Sequence, residues 1–154
     1  MIIPRHYENL TVLHENTLPE RSYFIPASKQ MDDLVEHREY SDRFQLLNGN
    51  WNFRFFGSVQ DVTEEFFRTD YNVSGFDTIP VPGMWQNFGY DIHQYTNVRY
   101  PIPYDPPYVP QDNPAGAYVT FFEYHKDPAA PKAYLNLMSP TCCWKAKTAW
   151  PYWC

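Results

Sequence analysis

Between Phe44 and Phe56 the apolar and polar positions alternate with a period of two. Trp51, Phe53 and Phe55 are interleaved with Asn50, Asn52 and Arg54, which places the three rings on one face of a pleated strand. Asn48-Gly49, just upstream, is a turn signal, so the strand is expected to be entered through a tight turn. A second run, Ala117-Tyr118-Val119-Thr120-Phe121-Phe122-Glu123-Tyr124, carries aromatic and β-branched residues on both faces and also reads as a strand. Residues 132–137 form a third, shorter candidate, and residues 78–81 a strand piece. Helical periodicity is scarce. The longest candidate is residues 29–45, where Met31, Leu34 and Val35 have helical spacing beside Asp32, Asp33, Glu36 and Glu39. Its apolar stripe is thin.

Proline divides the chain further. Residues 80–114 hold eight of the fifteen prolines, which forbids helix and, over most of that length, central strand. An ordered loop with short strand pieces is expected there. Residues 1–28, with Pro4, Pro19 and Pro26 and no periodicity, read as an extended arm that needs another surface to order it. Short strands, turn signals and many aromatics together predict an all-β sandwich with a long decorated loop. The expected organisation is an arm with a short helical segment over residues 1–43, a sandwich over 44–136 and a distinct tail over 137–154.

That tail differs from the rest in composition. All three cysteines (Cys142, Cys143, Cys154) and three of the five tryptophans (Trp144, Trp150, Trp153) fall in it, and the last acidic residue of the chain is Asp127. Adjacent Cys142 and Cys143 with a lone Cys154 match neither a C-x-x-C pair nor a zinc-ligand spacing. The shift is read instead as sequence foreign to the domain, of the kind that a slipped reading frame produces.

Composition then narrows the function classes. A length of 154 residues suits one domain, and a hydrophobic fraction of 44% argues against a chain disordered throughout. No apolar run approaches the roughly 18 residues that a membrane helix needs. The opening Met1-Ile2-Ile3-Pro4-Arg5-His6 has no secretory pattern, so a cytoplasmic location is expected. A net charge of −6 without a Lys/Arg cluster disfavours nucleic acid as a partner, whereas a neutral ligand such as a sugar is compatible.

Candidate chemistry is sparse. Glu64-Glu65 read as a solvated face, and Asp105 and Asp112, which lie close to prolines, as turn residues. Asp91-Ile92-His93 offers two metal ligands and no third, so a hydrogen-bonded loop pair is the better reading. His6, His14, His37 and His125 are scattered, and neither a phosphate-cradling glycine loop nor a nucleophile elbow occurs. Trp85, Phe88, Tyr90, Tyr95, Tyr100, Tyr104 and Tyr108 crowd the proline-rich loop. Packing of that loop onto the sandwich is the favoured role for these rings, with sugar stacking as the alternative. Asn9-Leu10-Thr11 and Asn72-Val73-Ser74 match the glycosylation pattern, without a secretion signal to give it meaning.

Three strings go further. They are Ile79-Pro80-Val81-Pro82-Gly83-Met84-Trp85-Gln86-Asn87-Phe88-Gly89-Tyr90-Asp91, then Tyr95-Thr96-Asn97-Val98-Arg99-Tyr100-Pro101-Ile102-Pro103, then Asn113-Pro114-Ala115-Gly116-Ala117-Tyr118. With Asp105-Pro106-Pro107-Tyr108-Val109-Pro110 between the last two, they closely resemble the amino-terminal domain of the large β-galactosidases of glycoside hydrolase family 2. Leu47-Asn48-Gly49-Asn50-Trp51-Asn52-Phe53 matches the first sandwich strand of that family and is shared with related glycosidases such as β-glucuronidases. Arg5 and Glu8-Asn9 resemble its opening arm. The resemblance runs from about residue 3 to Asn136.

The resemblance implies a jelly-roll, galactose-binding-like sandwich, incomplete at its C-terminal end, that precedes immunoglobulin-like domains and a catalytic barrel in the complete enzyme. It implies that the two catalytic glutamates lie in that barrel, with no catalytic residue in this chain. Magnesium and sodium are implied for the complete enzyme and no cofactor for this chain. Asn97 matches the asparagine that the family's first domain extends into the galactose pocket, and Val98 beside it would line that pocket. An amide suits the task, since it offers two donors and an acceptor to sugar hydroxyls. The competing role for Asn97 is a turn residue bonded to its own backbone. The implied partners are a β-galactoside and the remainder of the enzyme or further copies of the chain. Three functions follow: a domain of a β-galactosidase that is inactive alone, a segment that complements a separately made catalytic portion, and an independent carbohydrate-binding module.

Overall fold

The structure is a computed structural model that describes residues 4–14, 18–20, 22–93, 95, 97–98, 105–108, 110 and 113–122. It is all-β: among the described residues the longest helical stretch is a single 3-10 turn of four residues. Three strands, β1 (Gly49–Phe56), β2 (Asp77–Val81) and β3 (Ala115–Val119), form an antiparallel sheet in the order β2-β1-β3.

The central strand is the one with the clearest alternation. Trp51 and Phe53 are buried and Phe55 is half-buried, as a period of two requires of one face. The register sets their neighbours. Trp51 stands opposite Ile79 and Phe53 opposite Asp77 across β2, while Phe53 faces Tyr118 and Phe55 faces Gly116 across β3. Phe53 is fully buried, and Ile79, Ala117, Val119 and Val62 complete the buried apolar set among the described residues. Burying a side chain as large as phenylalanine is worth about 1.5–3 kcal/mol, and the register puts Ala117 and Val119 on the opposite face of the sheet from Phe53.

Strand entry differs from the expectation. No hydrogen-bonded turn forms at Asn48-Gly49; β1 begins at Gly49 itself, whose φ of 141° is open to glycine and strained for other residues. The Trp51 indole N–H donates back to the Leu47 carbonyl at 2.8 Å, which fixes the approach in place of a turn. The strand expected from Ala117 begins two residues earlier, at Ala115, and ends at Val119, whose carbonyl accepts from the Asn52 side chain at 3.2 Å. Residues 132–137, Asp112, His125 and the three cysteines of the tail lie outside the described residues.

The helix expected over residues 29–45 does not form. Asp33 has a φ of 60°, and a single turn closes on its carbonyl, which accepts from the Glu36 and His37 amides at 3.1 and 2.8 Å. Only Arg38–Tyr40 follows as a 3-10 turn. Val35 is exposed, so three apolar residues gave too narrow a stripe to be drawn onto the sheet. Side chains organise the segment instead. Asp42 accepts from the Ser28 amide at 3.0 Å and from the Ser28 hydroxyl, while Ser41 donates to the Pro26 carbonyl. Arg38 reaches the Tyr23 hydroxyl at 3.2 Å, and His37 stacks on Tyr40 at 4.8 Å. Nearer the N-terminus, Arg5–Glu8 forms a 3-10 turn, and Leu10 and Leu13 are exposed.

A capped turn, Val59–Asp61, joins β1 to the rest. Ser58 accepts from the Gln60 amide at 3.2 Å, Asp61 accepts from the Ser58 amide at 3.1 Å, and Val59 donates to the Asn113 carbonyl at 3.0 Å just before β3. No helix of the described residues is long and apolar enough to cross a membrane.

Candidate functional site

The segment from Gly83 to Val98 leads from β2 to Asn97 and Val98, the two residues expected by resemblance to meet a sugar. Its first half is seated on the sheet. Gly83 lies so close to the preceding strand that a Cβ there would come within 2.6 Å of the Pro80 carbonyl oxygen. The 3-10 turn Trp85–Phe88 ends at Gly89, whose φ of 87° is the left-handed conformation that glycine adopts freely. Its closing bonds run from the Gly89 amide to the Gln86 carbonyl at 3.3 Å and from the Tyr90 amide to the Trp85 carbonyl at 3.2 Å.

Two rings of this turn cover the face of β1. Trp85 lies 6.1 Å from Phe53 and 5.9 Å from Phe55, the latter edge-on, and Tyr90 meets Phe53 edge-on at 4.8 Å and stacks on Phe55 at 6.0 Å. These are the offset and edge geometries that aromatic quadrupoles favour. Packing onto the sheet is therefore the observed role of Trp85 and Tyr90. The Trp85 indole N–H is buried there and has no hydrogen-bond partner among the described residues.

The Tyr90 hydroxyl donates to Asp77 Oδ2 at 2.5 Å. That hydrogen bond to a carboxylate is the main reason the Tyr90 phenol is held above its ordinary pKa, since loss of the proton would set two anions against each other. This pair was not found in the sequence. Tyr90 was read among the loop aromatics and Asp77 not at all; the β1–β2 register, which puts Asp77 across from Phe53, is what unites them.

Beyond Tyr90 the described residues up to Val98 are exposed. Asp91 has a φ of 64°, and Asp91, Ile92 and His93 are all exposed. Among the described residues no three His, Cys, Asp or Glu side chains gather as a metal site would require. Asn97 and Val98 lie together in a bend; Asn97 is exposed and Val98 is 91% exposed, as is Tyr95 at 86%. Tyr108 is also exposed, so Tyr95 and Tyr108 do not share the packing role of Trp85 and Tyr90.

The acidic candidates sit elsewhere. Glu64 accepts from the Tyr71 hydroxyl and lies 3.5 Å from Arg54, while Glu65 pairs with Arg68 at 3.4 Å, all on an exposed surface. Asp105 is exposed, and its carbonyl accepts from the Tyr108 amide at 2.9 Å, as a turn residue's would. Glu39 and Asp42 are held below the ordinary carboxylate range, Glu39 chiefly by a backbone hydrogen bond and Asp42 chiefly by the Ser28 hydroxyl. That is opposite to the raised value a glycosidase's general acid needs. Both glycosylation patterns form local turns: Asn9 Oδ1 accepts from the Thr11 amide at 3.0 Å, and Asn72 Oδ1 from the Ser74 amide at 2.9 Å.

Comparison with known proteins bears directly on this arrangement. The chain is 43% identical over 118 residues to a β-galactosidase of Actinobacillus pleuropneumoniae, an alignment that spans 77% of the chain and 11% of that protein. It is 41% identical over 123 residues to a β-galactosidase of Staphylococcus xylosus, covering 79% of the chain and 12% of the relative. A β-galactosidase of Pectobacterium atrosepticum is 40% identical over 124 residues, with 80% and 11% covered. The chain thus spans little more than a tenth of the length of these relatives. Residues 44–138 match the family model described as the sugar binding domain of glycosyl hydrolases family 2, and on that match, which takes in all three strands and the loop with Asn97, the chain belongs to this family.

Proposed function

We propose that this chain is the sugar-binding part of a β-galactosidase and that Asn97 is its contact with the galactoside. The observation that carries the reading is the pairing of an exposed Asn97 with a loop root packed against the central strand. A rigid root with an exposed polar tip is how a scaffold presents a binding residue. The Asn97 amide donates to and accepts from sugar hydroxyls, and Val98 lies against an apolar patch of the ring. The resemblance of the Tyr95-Thr96-Asn97 string to β-galactosidases and the identity to three named β-galactosidases support the choice of galactose.

In the complete enzyme, terminal β-D-galactose residues, those of lactose among them, are released by a retaining double displacement between two carboxylates about 5–5.5 Å apart. Neither carboxylate belongs to this chain. Magnesium and sodium serve the complete enzyme. Division into an arm over 1–43, a jelly-roll sandwich over 44–136 and a tail over 137–154 is part of the same reading, as is a cytoplasmic location. The start of the family match at residue 44 supports the first of these boundaries.

Titration of the chain with a non-hydrolysable thiogalactoside tests the assignment. The Asn97 side-chain amide resonances are expected to shift, with a smaller response to the glucose epimer. No response at Asn97, or an equal response to both sugars, contradicts it.

A second reading is favoured by the exposed apolar residues Leu10, Leu13, Tyr23 and Phe24 of the arm. Here the chain docks onto a separately made catalytic portion and completes it. Galactosidase activity that appears only when the chain is mixed with an inactive enzyme lacking its amino-terminal segment is the expected result, and no gain on mixing counts against it.

A further inference from the structure

Among the described residues, the last backbone hydrogen bond before Asn97 is that from the Tyr90 amide to the Trp85 carbonyl. Among the described residues, the contacts that tie the start of the exposed stretch to the sheet converge on residue 90. Gly89 and Asp91, with φ of 87° and 64°, reverse the backbone on either side of it. Its ring is wedged edge-on against Phe53 at 4.8 Å and stacked on Phe55 at 6.0 Å. Its hydroxyl is tied to Asp77, which the β1–β2 register sets across from Phe53, so ring and hydroxyl engage the same face of two adjacent strands.

Ring packing alone would leave the tyrosine free to slide along Phe53 and Phe55, because aromatic contacts have broad energy wells. A hydrogen bond from a phenol to a carboxylate is short and directional, and it removes that freedom. We infer that Tyr90 and Asp77 are positioning residues, whose hydrogen bond fixes the direction in which the chain leaves the sheet toward Asn97. The inference deepens the reading of Asn97 as a galactoside contact and rests on it for its consequence in binding. The consequence is entropic: an amide held near its bound position loses less freedom when the sugar arrives.

The test uses the full chain and the variants Tyr90→Phe and Asp77→Asn. Tyr90→Phe keeps the ring and loses the donor; Asp77→Asn keeps an acceptor and loses the charge. Backbone 15N relaxation at residues 92, 93, 95, 97 and 98 reads the loop, amide exchange at Phe53 reads the sheet, and the thiogalactoside titration reads binding. Tyr90→Phe is expected to raise fast motion at all five loop positions, leave Phe53 exchange within about twofold, and weaken thiogalactoside binding about threefold to tenfold. Asp77→Asn, which retains the acceptor, is expected to keep most of the loop order of the parent chain. Unchanged loop relaxation in Tyr90→Phe overturns the assignment. So does loss of Phe53 protection in both variants, which would make the bond a general prop of the sheet. If the parent chain shows no response to thiogalactoside while Tyr90→Phe still loosens the loop, the reading of Asn97 fails and the positioning role stands.

Discussion

At Gly116 the backbone of β3 passes directly beneath Trp85: a Cβ there would lie 2.8 Å from Trp85 Cζ3 and 2.6 Å from Phe53 Cε2. Both rings are parts of larger packings, Trp85 in the loop root and Phe53 in the fully buried centre of the sheet, so neither can withdraw without disturbing the other. The absence of a side chain at residue 116 is thus what lets Trp85, at the root of the proline-rich loop, sit down on the sheet. Gly116→Ala is expected to cost about 1–3 kcal/mol, as other overpacked core sites do. Urea unfolding followed by tryptophan fluorescence checks this, and a midpoint equal to that of the parent chain contradicts it.

Phe53 joins the three layers of contact: Tyr118 from β3 at 4.8 Å, Tyr90 from the loop at 4.8 Å, and Trp85 at 6.1 Å. Phe53→Ala removes the shared partner of all three and is expected to destabilise by about 3–5 kcal/mol. In a domain this small that loss abolishes the cooperative transition in thermal melts. Phe53→Leu, closer in volume, is expected to retain a transition at lower temperature.

Alkaline pH acts through two phenols. Tyr90, donating to Asp77, and Tyr71, donating to Glu64, are both held above the ordinary tyrosine pKa, in each case first by the hydrogen bond to the carboxylate. The folded chain therefore keeps these protons at a pH where the unfolded chain has released them, and stability falls as pH rises. The contribution is complete below the ordinary tyrosine pKa near 10 and is lost as pH climbs through the higher folded values. Urea midpoints measured from pH 9 to pH 11 are expected to fall more steeply for the parent than for the Tyr71→Phe/Tyr90→Phe double variant. Parallel profiles would contradict the assignment.

Acid pH acts on the segment that precedes the sheet. Asp42 is held below the ordinary aspartate pKa chiefly by the hydroxyl and amide of Ser28. Its contribution is present above the ordinary value and disappears as pH falls through the lowered one. The Ser28 amide resonance is expected to titrate with Asp42 at a pH below that of an unperturbed aspartate, and Ser28→Ala to bring the Asp42 titration back up. An Asp42 titration unmoved by Ser28→Ala contradicts the pairing.

The central strand was legible in the sequence because the alternation of Trp51, Phe53 and Phe55 is a local property of the backbone period. β2 was legible as a strand piece to within one residue, whereas β3 begins two residues before the expected run and ends at Val119, well short of Tyr124, so its aromatic continuation misled the reading of its end. The helix expected at residues 29–45 failed because spacing alone does not reveal how little area Met31, Leu34 and Val35 would bury, nor that Asp33 takes a left-handed φ. Asn97 was named through resemblance and lies exposed in a bend. The Tyr90–Asp77 pair was illegible, since the two residues are thirteen positions apart and meet only through the strand register.

The account turns on a chain that meets the sugar without the carboxylates to cleave its bond. Incubating the purified chain, free of host galactosidase, with o-nitrophenyl β-D-galactoside tests this most directly. The account predicts no release of nitrophenol above the buffer rate. Sustained release that scales with chain concentration would contradict it.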